Sequence, residues 1–112
     1  MSLTLYGLKN CDTCKKALKA LESAGKPAEF IDIRAEADLQ ALVPDWLNAV
    51  GDTLLNKAST TWRGLSDGEK DAALADAAPV LIANPTLIKR PVIDAGDAVF
   101  VGWKKDVQAA LL

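Results

Sequence analysis

The alternation of apolar and polar positions at the start of the chain predicts a strand, a helix and a second strand. Leu3–Tyr6 is short and β-prone, and Gly7 interrupts it. After Asn10 the apolar positions keep helical spacing, and Gly25 is well placed to end that helix in a left-handed conformation. Phe30, Ile31 and Ile33 predict a second short strand that ends in Asp32–Arg34. This opening is β-α-β, which implies parallel strands joined by a right-handed crossover.

The middle of the chain has a helical pattern instead. One apolar stripe extends from Leu39 to Val50 and is interrupted by Pro44, which predicts a break near Val43 and a new helix from Pro44. Further helices are predicted over Lys70–Ala78, after a capping box at Ser66–Glu69, and from Pro79 to Asn84. We therefore expect a mostly helical insertion over about residues 35–84.

The last part of the chain returns to strands. Val92-Ile93 and Val99–Val101, separated by a turn at Ala95–Asp97, predict an antiparallel hairpin, and Lys104–Leu112 is amphipathic. The element order is thus β-α-β, helical insertion, β-β-α. This order predicts an α/β protein with a thioredoxin-like fold, a four-stranded mixed sheet and a single domain over residues 1–112.

Composition narrows the classes of function. The 112 residues suffice for one domain, half of them are apolar, and no apolar run approaches the length of a membrane span. The N-terminus does not resemble a signal peptide, so we expect a cytoplasmic protein without a membrane partner. The net charge is −2 and the basic residues are scattered, so no direct nucleic-acid partner is expected.

The candidate chemistry is that of sulfur. The chain has two cysteines and no histidine, so histidine acid/base schemes are excluded and no metal site is expected. Cys11 and Cys14 form a C-x-x-C motif at the end of a strand and the start of a helix, where backbone N–H groups, the helix dipole and Lys15-Lys16 favour the thiolate. Cys14 is one turn further on and could resolve a mixed disulfide on Cys11.

Other interpretations of these residues stay open at this point. Cys14 shares the inward stripe of the helix and could be a small packing residue. Pro91, which opens a strand, could follow a cis peptide bond and present its backbone to a partner, or Arg90-Pro91 could be an exposed arginine and an edge-strand proline. The three tryptophans are most simply packing residues.

Four motifs taken together resemble the arsenate reductase-like (ArsC) family, and most closely its Spx/YffB branch. They cover almost the whole chain: Tyr6–Ala17, Leu54–Lys57 with Thr60–Arg63, Asn84–Ile93, and Val101–Trp103. The resemblance implies a thioredoxin-like fold with a helical insertion. It assigns Cys11 as the catalytic cysteine and Arg90 as the arginine before a cis proline, Pro91.

The resemblance also implies a substrate class. Two further arginines that bind the oxyanion in arsenate reductases fall here on Asn56, with Lys57 beside it, and near Trp103, which argues against arsenate reduction. The expected function is a thiol-disulfide oxidoreductase with no bound cofactor and with glutathione as co-substrate. Its expected partner is a disulfide or another oxidised substrate, bound by Arg90, Pro91, Lys57, Asn56, Asn10 and Lys15. The alternatives are an Spx-like redox-sensing regulator that binds RNA polymerase and, less favoured, an arsenate reductase.

Overall fold

The computed structural model describes residues 3–112, and the chain divides into two compact units. The first contains the chain up to Ala37 together with Arg90–Leu112, and the second is Asp38–Lys89. The second unit corresponds to the helical segment expected at about residues 35–84. The helices are α1 (Asp12–Ser23), α2 (Leu39–Val50), α3 (Thr60–Arg63), α4 (Asp67–Ala75), α5 (Ala77–Ala83) and α6 (Lys105–Leu111).

The first unit contains a four-stranded mixed sheet of β1 (Leu3–Gly7), β2 (Ala28–Asp32), β3 (Val92–Asp94) and β4 (Val99–Val101). The strand order is β2-β1-β3-β4. β1 and β2 are parallel, whereas β3 is antiparallel to β1 and to β4. The predicted thioredoxin-like α/β fold is therefore confirmed. Gly7 does not interrupt β1, because it pairs with Asp32 as the last residue of the strand.

The core of the first unit lies between the sheet, α1 and α6. α1 buries Cys14, Ala17 and Leu21, which cluster with apolar residues of β1, β3 and α6. Gly25 follows α1 with a φ of 77°, the left-handed conformation expected for it. β1 crosses this core and ends at Gly7, and the short segment 8–10 connects it to Cys11, so the sheet fixes the position from which the sulfur motif starts.

The helical unit corrects one prediction. α2 is continuous from Leu39 to Val50 and contains Pro44, so the break expected near Val43 is absent. Asp38 starts the helix by accepting a hydrogen bond from the Ala41 N–H at 3.4 Å. Proline removes one backbone hydrogen bond, but Pro44 is exposed, and the buried stripe that includes Val43 and Trp46 holds the helix across it.

The remaining helices of this unit follow the sequence signals with shifted ends. Ser66 and Glu69 form the expected capping box at the start of α4, but α4 ends at Ala75. α5 begins at Ala77, two residues before Pro79, because Asp76 accepts a hydrogen bond from the Ala78 N–H and supplies an earlier cap. Across residues 3–112, no helix is long and apolar enough to cross a membrane.

Candidate active site

The loop between β1 and α1 presents Cys11 at the start of the helix. The Cys11 N–H donates to the Leu8 carbonyl at 3.1 Å, which closes a tight turn after the strand. Cys11 is the N-cap residue of α1, with an extended backbone (φ −91°, ψ 116°), and its carbonyl accepts from the Lys15 N–H at 3.1 Å. Its side chain is half-buried and makes no conventional capping hydrogen bond. The sulfur is thus beside the unpaired N–H groups that begin a helix.

The surroundings of Cys11 favour its thiolate. Burial alone would raise the pKa of Cys11, but the backbone N–H and thiol of Cys14, together with the guanidinium of Arg90, lower it below the ordinary cysteine value. The direction agrees with the expectation from the sequence, and the Cys14 N–H belongs to the first turn of α1. The positive side chain at the sulfur is Arg90, whereas Lys15 and Lys16 are exposed.

Cys14 has the opposite environment. Its side chain is 0% exposed, and burial raises its pKa to about 12, assisted by the neighbouring Cys11 sulfur. Gly7 makes room for it, because a Cβ atom built on Gly7 would lie 2.5 Å from the Cys14 Sγ. Gly7 was expected only to interrupt a strand. Its closeness to Cys14 depends on how α1 packs against β1, which no local signal in the sequence reveals.

Arg90 and Pro91 approach the thiols from the start of β3. The Arg90–Pro91 peptide bond is cis, as the resemblance implied, and the Pro91 carbonyl accepts from the Gly102 N–H at 2.8 Å. The Arg90 guanidinium is close enough to the Cys11 sulfur to lower the pKa of Cys11 through hydrogen bonding and charge. Its Nε and Nη1 atoms are buried and have no hydrogen-bond partner among residues 3–112. Buried donors without partners cost about 1–3 kcal/mol each.

The other predicted site residues divide between the two units. Asn10 is exposed directly before Cys11, and Lys15 lines a small depression that reaches Cys14. In the second unit, Asn56 is held by its own backbone, whose N–H donates to the Leu87 carbonyl at 2.7 Å, and its Oδ1 accepts from the Ala58 N–H at 3.3 Å. Lys57 is exposed. The binding roles of these four residues stay predictions.

In residues 3–112, no group of three or more His, Cys, Asp or Glu side chains is placed to hold a metal ion. The chemistry that the described site itself provides is a thiolate, a second thiol and a guanidinium.

Comparison with known proteins gives consistent results across the chain. The ArsC family model matches residues 6–111. An uncharacterised protein of Haemophilus influenzae is 42% identical over 111 residues, which cover 96% of this chain and 97% of the relative. The solved structure of the YFFB protein is 38% identical, covers 99% of both chains and superposes with a TM-score of 0.85. An arsenate reductase (ArsC) related protein from Brucella melitensis is also 38% identical, with a TM-score of 0.77 over 98% of this chain and 93% of that one.

Proposed function

We propose, from the premise that this chain belongs to the ArsC family, that it is a glutathione-dependent thiol-disulfide oxidoreductase with Cys11 as nucleophile and Cys14 as resolving thiol. The observation that carries the proposal is the asymmetry between the two sulfurs. Cys11 is accessible and its pKa is lowered, while Cys14 is enclosed and its pKa is raised. Attack on a disulfide needs one thiolate that is formed and reachable, and a second thiol within reach.

The first step is thiol-disulfide exchange at Cys11. The Cys11 thiolate attacks one sulfur of the substrate disulfide, a new S–S bond joins Cys11 to that half, and the other half leaves as a thiolate. The substrate is reduced by two electrons only after the second step. There, the Cys14 sulfur attacks Cys11, the remaining half leaves as a thiol, and Cys11 and Cys14 become an intramolecular disulfide. Two molecules of glutathione then restore the dithiol and become glutathione disulfide.

The electrostatics give the two steps an order. The raised pKa of Cys14 has burial as its main cause, followed by the hydrogen bond and the charge of Cys11. A mixed disulfide on Cys11 removes both Cys11 contributions, because that sulfur is then neutral. The Leu8 N–H and the Arg90 charge, which lower the pKa of Cys14, stay in place. Cys14 therefore becomes a better nucleophile once Cys11 has reacted.

Arg90 supports glutathione as the thiol that is used. Its guanidinium acts on Cys11 through hydrogen bonding and charge, so a carboxylate of a thiol bound at Cys11 would be close to a fixed cation. Glutathione brings carboxylate and peptide oxygens close to its sulfur. Arsenate reduction, by contrast, is expected to be absent or feeble, because only Arg90 remains of the three arginines that the resemblance leads one to expect.

The test is a mass measurement of three forms after treatment with glutathione disulfide. The wild type should gain the mass change of an intramolecular disulfide, Cys14→Ser should hold one stable glutathione on Cys11, and Cys11→Ser should stay unmodified near neutral pH. If Cys14→Ser turns over with glutathione at the wild-type rate, Cys14 is a packing residue and the mechanism uses one thiol. Reactivity that survives in Cys11→Ser and is lost in Cys14→Ser would reverse the assigned roles.

A further inference from the structure

A cleft at the carboxyl ends of the two parallel strands lies beside the sulfur motif. We call it the β1–β2 cleft; its volume is about 430 Å³ and it is lined by Leu8, Lys9, Asn10, Asp32, Arg34 and Ala35. One wall is the loop after β1 and the other is the turn after β2. The carboxyl ends of parallel strands are where α/β proteins bind ligands, because the loops diverge there.

The lining of the cleft has more cationic than acidic side chains. Lys9 and Arg34 are exposed and supply two cationic side chains. Asp32 is the acidic member of the lining, and its Oδ1 is already held by the Arg34 and Ala35 N–H groups at 2.8 and 3.0 Å. Asp32 therefore shapes the wall of the cleft, while the Lys9 and Arg34 side chains face a ligand-sized space.

The cleft is within reach of a molecule bound to Cys11. Lys9 and Asn10 directly precede Cys11, and two residues of chain span at most about 7 Å. β1 lies between β2 and β3 in the sheet. The cleft is therefore on the β2 side of Cys11, whereas Arg90 precedes β3 and is on the other side of Cys11. A thiol with acidic groups at both ends could meet a cation on each side of the sulfur.

We infer that the β1–β2 cleft is a carboxylate subsite, in which Lys9 and Arg34 bind one terminal carboxylate of the thiol substrate while its sulfur faces Cys11. This inference rests on the proposed function and specifies its substrate class. Glutathione fits because its two carboxylates lie at opposite ends of the molecule, with the thiol between them. Lys9 and Arg34 are positioning and specificity residues here, since they touch the substrate away from the reacting sulfur.

The test measures binding separately from reaction. The probe is S-methylglutathione, which cannot form a disulfide, titrated into the wild type and into Lys9→Gln/Arg34→Gln. The matched control is Lys19→Gln/Lys105→Gln, which likewise removes two exposed positive charges from the first unit. The cleft variant should bind at least about tenfold more weakly, equivalent to about 1.4 kcal/mol, and the control within about twofold of the wild type.

An analogue with one carboxylate amidated identifies which of the two carboxylates the β1–β2 cleft binds. One of the two amides of S-methylglutathione, at the glycine or at the glutamyl carboxylate, should bind to the wild type as weakly as the parent compound binds to the cleft variant. The affinity for that amide should be the same in the wild type and in the cleft variant. The inference is overturned if the cleft variant binds as the wild type does, if both amides bind at full strength, or if the wild type does not bind the probe.

The reactions of the same variants distinguish this inference from the proposed function. If the probe binds through Lys9 and Arg34 but glutathione disulfide never modifies Cys11, the subsite stands and the proposed function fails. If Cys11 reacts with glutathione disulfide equally fast in the wild type and the cleft variant, the function stands and the subsite is wrong. With the neutral 2-hydroxyethyl disulfide, the rate of the cleft variant should fall less than its rate with glutathione disulfide does, and Lys19→Gln/Lys105→Gln should react at the wild-type rate.

Discussion

The helices α1 and α4 differ in how the free backbone N–H groups of their first turns are bound. At α4, the Ser66 hydroxyl accepts from the Glu69 N–H at 3.2 Å and the Glu69 carboxylate accepts from the Ser66 N–H at 3.0 Å. At α1, the N-cap residue is Cys11, which makes no conventional capping hydrogen bond. In α4 the Ser66 hydroxyl occupies an N–H of the first turn, whereas in α1 the N–H of Cys14 acts on the Cys11 sulfur. The difference separates a terminus used for stability from one used for reactivity.

The largest effect should come from giving α1 a conventional cap. Cys11→Ser places a hydroxyl, a favoured N-cap group, where the sulfur was, so the fold should persist in urea unfolding. Alkylation by iodoacetamide at neutral pH should be abolished, because Cys14 stays enclosed and burial, the main cause of its raised pKa, does not depend on Cys11. Rapid alkylation of Cys14 in this variant, or a large loss of stability, would contradict the separation of the two roles.

The next effect concerns the space behind Cys14. Gly7→Ala puts a Cβ atom 2.5 Å from the Cys14 Sγ, so strand and helix must shift, and the free energy of unfolding should fall by about 1–3 kcal/mol. The matched control is Gly68→Ala in α4, where an added Cβ meets nothing within 4 Å and stability should rise by about 0.4–1 kcal/mol. Equal effects of the two substitutions, compared by chemical denaturation, would show that Gly7 does not hold the place of Cys14.

Arg90→Gln should change reactivity with a smaller effect on the fold. Removal of the guanidinium takes away a hydrogen bond and a positive charge that lower the pKa of Cys11, so that pKa should rise. A higher pKa leaves less thiolate at a given pH. The midpoint of the alkylation rate against pH should therefore move to higher pH and the rate at pH 7 should fall. Lys15→Gln is the comparison, and an equal shift in that variant would show that general positive charge, not Arg90, sets the acidity.

The sequence predicted the parts of this comparison that depend on local pattern. The cap at Ser66, the left-handed Gly25, the hairpin and the position of Cys11 before α1 all follow from residues within a few positions of one another. The enclosed Cys14 follows from the apolar stripe, and the helix start accounts for part of the acidity of Cys11. The contribution of Arg90 to that acidity comes from a segment distant in sequence, so no local pattern predicts it. The other signals are short in range.

The parts that the sequence did not predict depend on contacts between distant segments. Pro44 was expected to break α2, but its position on the exposed side of a helix with a buried stripe makes one lost hydrogen bond tolerable. The approach of Gly7 to Cys14 requires the packing of α1 on β1. The β1–β2 cleft needs the loop after β1 and the turn after β2 to face each other, and neither Lys9 nor Arg34 has a motif around it that marks a ligand.

The smallest effect should come from the cap that is already complete. Ser66→Ala removes the hydroxyl that accepts from the Glu69 N–H, and an exposed N-cap of this kind stabilises a protein by about 1 kcal/mol. The alkylation rate of Cys11 and its pH profile should stay at the wild-type values, since α4 carries no reacting group.

Glu69 adds a pH dependence to the same terminus. The pKa of Glu69 is lowered by hydrogen bonds from the Ser66 backbone and side chain, so its contribution is present above the ordinary glutamate pKa and is lost as the pH falls through the lowered value. Urea unfolding of the wild type and Glu69→Gln should therefore differ at neutral pH and converge in acid. A changed thiol reactivity in Ser66→Ala would mean that the two helix starts are coupled, and the contrast between a stabilising and a reactive terminus would no longer hold.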